Sequence, residues 1–180
     1  MIIKNTDGIN KEKKKVTTIL GDSMIKDIKG WKLNKSLKED FIVVKSFPGA
    51  TIECMTHYVK PSINQKPDRF VIHIGTNDLK TDKTPSKIVK EIFNLSKSVH
   101  MDTKAPVIIS GIVPRGDNLK GKAEAVNELL KRKCVETNVA FIDHENIDIY
   151  KLNGSKLHLN KSGTNTMAKN FLQLLQKLET

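Results

Sequence analysis

Five short apolar runs, each separated from the next by a longer amphipathic stretch, constrain this chain to a parallel α/β sheet. The runs fall at residues 16–20, 41–46, 70–74, 107–111 and 139–142. Val107-Ile108-Ile109 and Phe70-Val71-Ile72 are unbroken β-branched or aromatic triplets, as a strand covered on both faces requires. The stretches between them read as helices at 51–63, 85–99, 120–137 and 163–178, with 25–37 a short helix plus loop. In the last helix Met167, Phe171, Leu174, Leu175 and Leu178 recur at helical spacing and mark one buried stripe. At 180 residues the chain suits one domain with a sizeable core. Residues 1–15 are polar, include Lys11-Glu12-Lys13-Lys14-Lys15 and show no periodicity, so a flexible basic tail or linker is expected before a domain at 16–180.

The ends of these runs carry the chemistry. Ile19-Leu20 leads into Gly21-Asp22-Ser23-Met24, a tight turn between a strand and a helix-compatible segment. A small nucleophile there sits on a rigid element, and backbone N–H groups opening the helix face any negative charge that develops. The same triplet also serves as an ordinary turn with an N-cap serine. Other turns stand in equivalent places: Phe47-Pro48-Gly49-Ala50-Thr51 and Gly75-Thr76-Asn77-Asp78-Leu79 follow runs two and three, and Leu157-His158-Leu159-Asn160 precedes the last helix. In an open parallel sheet such turns converge on one crevice. That would gather a hydroxyl (Ser23), a backbone N–H (Gly49), a side-chain amide (Asn77) and an imidazole (His158), the parts needed for acyl transfer.

Gly21-Asp22-Ser23, Gly49, Gly75-Thr76-Asn77-Asp78 and His158 resemble, in order and separation, the four sequence blocks of the SGNH (GDSL-like) hydrolases. The surrounding wording also resembles the esterase-like domain encoded by LINE-type retrotransposons. The resemblance covers nearly all of the chain from Val16 onward. It implies a three-layer α/β sandwich whose five parallel strands are ordered 2-1-3-4-5, as in flavodoxin-like sheets. It further implies a serine esterase working through an acyl-Ser23 intermediate, with His158 as general base and no metal or organic cofactor. The oxyanion donors it implies are the backbone N–H groups of Ser23 and Gly49 and the side-chain amide of Asn77. Pro48-Gly49 equally reads as a type II turn and Asn77-Asp78 as a helix cap. Asp22 and Asp78 are expected to bond loop backbone.

One position departs from the family. An aspartate usually stands three residues before the histidine and orients it, and here that residue is Ser155. In a well-studied serine hydrolase, disabling the equivalent carboxylate costs ~10⁴ in turnover. Either a loop carbonyl holds His158 Nδ1, giving a Ser-His dyad, or an upstream acid (Asp143, Glu145 or Asp148) takes over; the carbonyl is the favoured reading. The departure also feeds a rival reading, a catalytically weak module that binds acyl or lipid ligands, or nucleic acid within a retrotransposon-type protein. The remaining histidines are weaker candidates for the base. His57 and His100 fall in helical patterns, His144 lies past the fifth run, and His73 within the third reads as a packed or backbone-bonded residue.

The net charge of +11 points to anionic partners: nucleic acid, an anionic membrane surface or an acidic substrate. Lys156 and Lys161 flank His158 and could dock an anionic substrate group. Lys26, Lys29, Lys32, Lys35 and Lys38 recur just after the nucleophile, as a solvated face or a basic rim to the crevice. Aromatic residues make up only 5% and show no interleaving with basic ones, which argues against base stacking but not against phosphate attraction. Cys54 and Cys134 lie in helical patterns without metal-ligand spacing, so buried free thiols are expected. The first residues lack the apolar core of a signal peptide, which makes the cytoplasm the expected compartment. The substrate is expected to be a small or lipid-borne ester.

Overall fold

The computed structural model describes residues 14–38 and 40–178. Five strands, β1 (Lys15–Gly21), β2 (Asp40–Ser46), β3 (Arg69–His73), β4 (Val107–Ser110) and β5 (Phe141–Ile142), form one parallel sheet ordered β2-β1-β3-β4-β5. The order and the all-parallel pairing are those the family resemblance implied. The expected tail falls largely outside the described residues, but Lys15, assigned to it from sequence, already pairs with Asp40 in β1.

Alternation along the strands divides the core in two. Leu20, Phe70, Ile72, Val107 and Ile109 face one side, with helices α2 (Ile52–Tyr58), α3 (Lys60–Asn64), α4 (Pro85–Thr103) and α5 (Lys120–Glu136) over them. Their neighbours Ile19, Val71, Ile108 and Ile142 face the other side, against α1 (Gly30–Asn34) and α6 (Lys161–Lys177). Successive strand side chains point to opposite faces, so each apolar triplet supplies both layers. The α6 stripe buries Met167, Phe171 and Leu175, whereas Leu174 is partly covered and Leu178 is exposed just past the helix.

The expected helix at 51–63 is two helices. Val59 closes α2 and opens α3, whose Pro61 has no N–H with which to continue the ladder. β5 is shorter than its apolar run because Asn138 adopts φ +52° and the Val139 N–H closes on the Cys134 carbonyl at 2.9 Å. At the sheet edge, Asn34 of α1 accepts from the Ile42 N–H at 2.6 Å and donates to its carbonyl at 3.5 Å, covering a free strand edge. Both thiols are free; Cys134 is buried, but Cys54 is only half-buried. Among the described residues no helix is long and apolar enough to cross a membrane.

Candidate active site

The Ser23 turn is built where β1 runs between β2 and β3. A Cβ on Gly21 would lie 2.7 Å from the His73 carbonyl oxygen, so the strand can pass β3 this closely only as glycine. Asp22, fully buried, caps a 3-10 turn (Ser23–Ile25) through Oδ1, which accepts from the Met24 N–H at 2.9 Å. The Asp22 N–H donates to the His73 carbonyl at 3.3 Å and Ser46 Oγ donates to the Asp22 carbonyl at 2.8 Å. Ser23 is therefore fixed by its neighbours on both sides. It is half-buried and opens the turn, where N–H groups lack intrahelical acceptors.

The second and third turns lock onto the first and onto each other. The Phe47 N–H donates to the Gly21 carbonyl at 2.8 Å. The Ala50 N–H then returns to the Phe47 carbonyl at 3.0 Å, and Gly49 has φ +80°, which makes Phe47-Pro48-Gly49-Ala50 a type II turn. The turn reading and the donor reading of Gly49 are thus compatible: nothing lies within 4 Å of where a Gly49 Cβ would stand, so its backbone faces open space. Asn77 does not use its side chain as a cap. Its Nδ2 donates to the Ala50 carbonyl at 2.9 Å, which aligns the amide with the Gly49 turn and leaves its second N–H for another acceptor.

Asp78 ties these turns to the helices. Buried, it accepts from the Ile52 N–H at 2.9 Å and from Lys83 Nζ at 2.8 Å, and Lys83 also bonds Glu91 at 2.7 Å. Burial works against the Lys83 charge, but its two carboxylate partners outweigh that and raise its pKa above the ordinary lysine value. Asp22 and Asp78 thus bond loop backbone as the sequence suggested.

His158 is half-buried on a closed loop between a 3-10 turn (Ile149–Lys151) and α6. Its carbonyl accepts from the Asn153 N–H at 2.7 Å and its N–H donates to Asn153 Oδ1 at 3.2 Å. The same oxygen accepts from Ser155 Oγ at 2.7 Å. Lys156, with φ +54°, offers its carbonyl to the Gly116 N–H at 3.0 Å, which ties this loop to the one leaving β4. Asn160 caps α6 and holds the Tyr150 and Leu152 carbonyls. Leu159, bridged to Leu152, packs against the core layer that also holds Met24 and Ile25 of the Ser23 turn.

None of the groups that the sequence offered as orienter bonds His158 Nδ1. His158 Nδ1 is buried with no partner among the described residues. The loop carbonyls favoured for the task already accept from loop N–H groups: Asn153 from Lys156, His158 from Asn153, Lys151 from Asn160. Asp143 is bound to Lys131 at 2.7 Å and to the Glu145 N–H at 2.9 Å. Glu145 is exposed and shares that lysine at 2.7 Å. Asp148 caps the following 3-10 turn through the Tyr150 N–H at 3.0 Å, and Ser155 points to Asn153. Lys156 and Lys161 are exposed, and among the described residues neither bonds the imidazole. Asn153, which sequence reasoning passed over, is the organiser of this loop; the Asn153-Gly154 turn pair was the signal that could have found it.

Beneath the site lies a buried polar chain that the sequence also did not reveal. His73 Nδ1 lies 3.0 Å from Ser110 Oγ, which lies 2.8 Å from His144 Nε2. Burial lowers the pKa of His73, and burial together with the His73 ring lowers that of His144 to about 3. His73 is thus packed, as its place in a strand suggested. Grooves of about 680 Å³ at the amino ends of β3 and β4, about 490 Å³ between α4 and α5 and about 440 Å³ between α2, α3 and α4 are lined by neither Ser23 nor His158. Among the described residues no group of three or more His, Cys, Asp or Glu could hold a metal ion.

The layers, strand order and carboxyl-end turns define a three-layer α/β fold of the hydrolase type. The profile of the GDSL-like lipase/acylhydrolase family matches residues 19–165, and the chain belongs to that family. No curated protein matches it significantly in sequence. Among solved structures it is similar to a lipolytic protein of the G-D-S-L family from Veillonella parvula, with TM-score 0.75, 20% identity, and coverage of 89% of this chain and 98% of that one. A GDSL-like lipase from Bacteroides thetaiotaomicron gives TM-score 0.77 at 16% identity, covering 91% and 89%. The psychrotrophic esterase EstA from Pseudoalteromonas, a structure inhibited by monoethylphosphonate, gives 0.73 at 17%, covering 91% and 97%. These structural likenesses carry the fold.

Proposed function

We propose that the protein is a serine esterase that cleaves carboxylic esters through an acyl-Ser23 intermediate. Ser23 Oγ attacks the ester carbonyl and His158 takes its proton, then returns it to the departing alcohol; water repeats the sequence to release the acid. The oxyanion formed at each stage is met by the N–H groups of Ser23 and Gly49 and the free N–H of Asn77. Each such donor is worth about 3 kcal/mol in the transition state. The observation that carries this reading is the interlocking of the three donor turns, Phe47 N–H on Gly21, Ser46 on Asp22 and Asn77 on Ala50. Donors held by the fold need not reorganise as charge develops.

The unpartnered His158 Nδ1 favours a second reading, a slow hydrolase or a module that binds acyl ligands. Labelling with a serine-reactive phosphonate separates the two. The esterase reading expects the adduct on Ser23, hydrolysis of short p-nitrophenyl esters, and loss of both in Ser23→Ala. A folded protein that neither labels nor turns over is the binder.

We further infer that the substrate is presented by an anionic surface. Lys26, Lys29, Lys32, Lys35 and Lys38 are all exposed along the segment that leads from the Ser23 turn back to the amino end of β2. Trp31 is 57% exposed with Lys32 and Lys35 Nζ 5.5 Å and 4.9 Å from its ring centre. Trp31 is the chain's one tryptophan, so its fluorescence reports on that face alone. A blue shift with phosphatidylserine vesicles, absent with phosphatidylcholine and reversed by salt, is expected.

A further inference from the structure

The second and third turns are joined by two side chains that stand next to each other in sequence. Asn77 Nδ2 donates to the Ala50 carbonyl at 2.9 Å, and Asp78 Oδ2 accepts from the Ile52 N–H at 2.9 Å. A single bond would leave one turn free to pivot on the other. Two bonds, set two residues apart on the segment that follows Gly49, fix its orientation as well as its distance. The Phe47 N–H on the Gly21 carbonyl holds the same segment from its other end. The Ile52 N–H opens α2 and has no acceptor within that helix, so the Asp78 carboxylate is what takes it up.

The Asp78 bond depends on a charge outside the turns. Asp78 is 0% exposed, and a carboxylate so placed needs a counter-ion. Lys83 supplies it, with Nζ 2.8 Å from Oδ1, the oxygen that Ile52 does not use. The chain between the two residues folds back to allow this. The Thr81 N–H and Oγ1 both donate to the Asp78 carbonyl, at 3.1 Å and 2.7 Å, and the Lys83 N–H donates to Thr81 Oγ1 at 3.3 Å. Glu91 of α4 binds the same ammonium at 2.7 Å. Lys83 and Glu91 line the groove between α2, α3 and α4, which Ser23 and His158 do not.

We propose that Lys83 is a positioning residue for the oxyanion donors: by holding Asp78 Oδ1 it turns Oδ2 onto the Ile52 N–H and so keeps the Gly49 turn in register with the Asn77 amide. A carboxylate without its cation is free to turn away from Ile52, which leaves the Gly49 turn on the Asn77 bond alone. A second lysine separates this role from simple anchoring of the loop. Lys122 Nζ donates to the Leu79 and Thr81 carbonyls at 3.0 Å and 2.7 Å, so it grips the same loop through its backbone and not through the carboxylate. The inference rests on Gly49 and Asn77 being the oxyanion donors, but its first measurement does not.

Amide hydrogen exchange reads the Ile52 bond directly. In Lys83→Met the Ile52 N–H should exchange on the order of 10-fold faster, while the Phe70 and Ile109 amides, bonded to the Pro106 and Ala140 carbonyls, keep their wild-type rates. Ester hydrolysis by this variant should fall on the order of 10-fold in kcat at unchanged KM, the mark of misplaced transition-state donors rather than lost binding. Lys83→Arg, which keeps a cation between the two carboxylates, should restore both readouts to within about 3-fold, and Lys122→Met should change kcat by less than about 2-fold. Lys83→Gln, neutral but still a donor, should fall between Met and Arg, and it replaces the Met variant if that one does not fold. Unchanged Ile52 exchange in the neutral variant, a rise shared equally by Phe70 and Ile109, or equal kcat losses in the neutral variant and Lys122→Met each overturn the proposal. If the wild type neither labels with the phosphonate nor turns over, the esterase reading fails alone, and Ile52 exchange still decides whether Lys83 holds the turn.

Discussion

Acidification should unfold this protein through its buried histidines before its carboxylates titrate. His144 is 1% exposed, both ring nitrogens are engaged, and burial with the neighbouring His73 ring holds its pKa at about 3. In the unfolded chain it returns to about 6.5, so the unfolded state binds the proton more readily. A histidine with its folded pKa depressed contributes stability that is complete above 6.5 and is lost as pH falls toward the folded value. Each pH step in that window costs about 1.4 kcal/mol, so at pH 5 the fold should be about 2 kcal/mol less stable than at pH 7. His73, also lowered by burial, acts in the same direction. The acids Glu91, Asp117 and Asp143 are lowered below their ordinary values near 4 and remain charged throughout. Urea unfolding at the two pH values measures the difference. His144→Gln, which keeps an amide among the same partners, should be less stable at pH 7 and flatter with pH by about 2 kcal/mol. Equal pH dependence in wild type and variant would refute the assignment, and so would a wild type as stable at pH 5 as at pH 7.

Three further outcomes follow from the site. Asn77→Ala should lower kcat by ~10²–10³ with a smaller change in KM, because its bond strengthens only as the oxyanion forms; steady-state kinetics on p-nitrophenyl acetate read this directly. Asn153→Ala, which frees the His158 N–H and Ser155 Oγ together, should cost on the order of 10-fold in kcat, whereas Ser155→Ala should change it by less than about 2-fold; equal effects would remove Asn153 from its organising role. Gly163→Ala would set a Cβ 2.1 Å from the Lys151 carbonyl oxygen, and should destabilise the fold by about 2 kcal/mol or more in urea unfolding as the His158 loop is pushed open.

The sequence determined the layers because the information is periodic and local. Ile19 and Leu20, or Phe70, Val71 and Ile72, go to opposite faces under any packing that buries both sides of a strand. Gly21 and Gly49 were legible for a related reason: a close backbone approach and a positive φ each select glycine at a fixed place in a turn. Boundaries moved where a local constraint overrode the apolar pattern, at Pro61 between α2 and α3 and at Asn138 before β5. The triad acid was the hardest to read. Ser155 stands at the family's offset from His158, yet the side chain that holds the loop is Asn153, and Asp143 and Asp148 are engaged elsewhere. A hydrogen bond between loop residues depends on how the loop closes, and no spacing rule gives that. The His73–Ser110–His144–Asn170 chain lay wholly beyond the sequence. Its members come from three strand ends and one helix, and only the 2-1-3-4-5 stacking brings β3, β4 and β5 side by side so that their polar ends meet in a buried row.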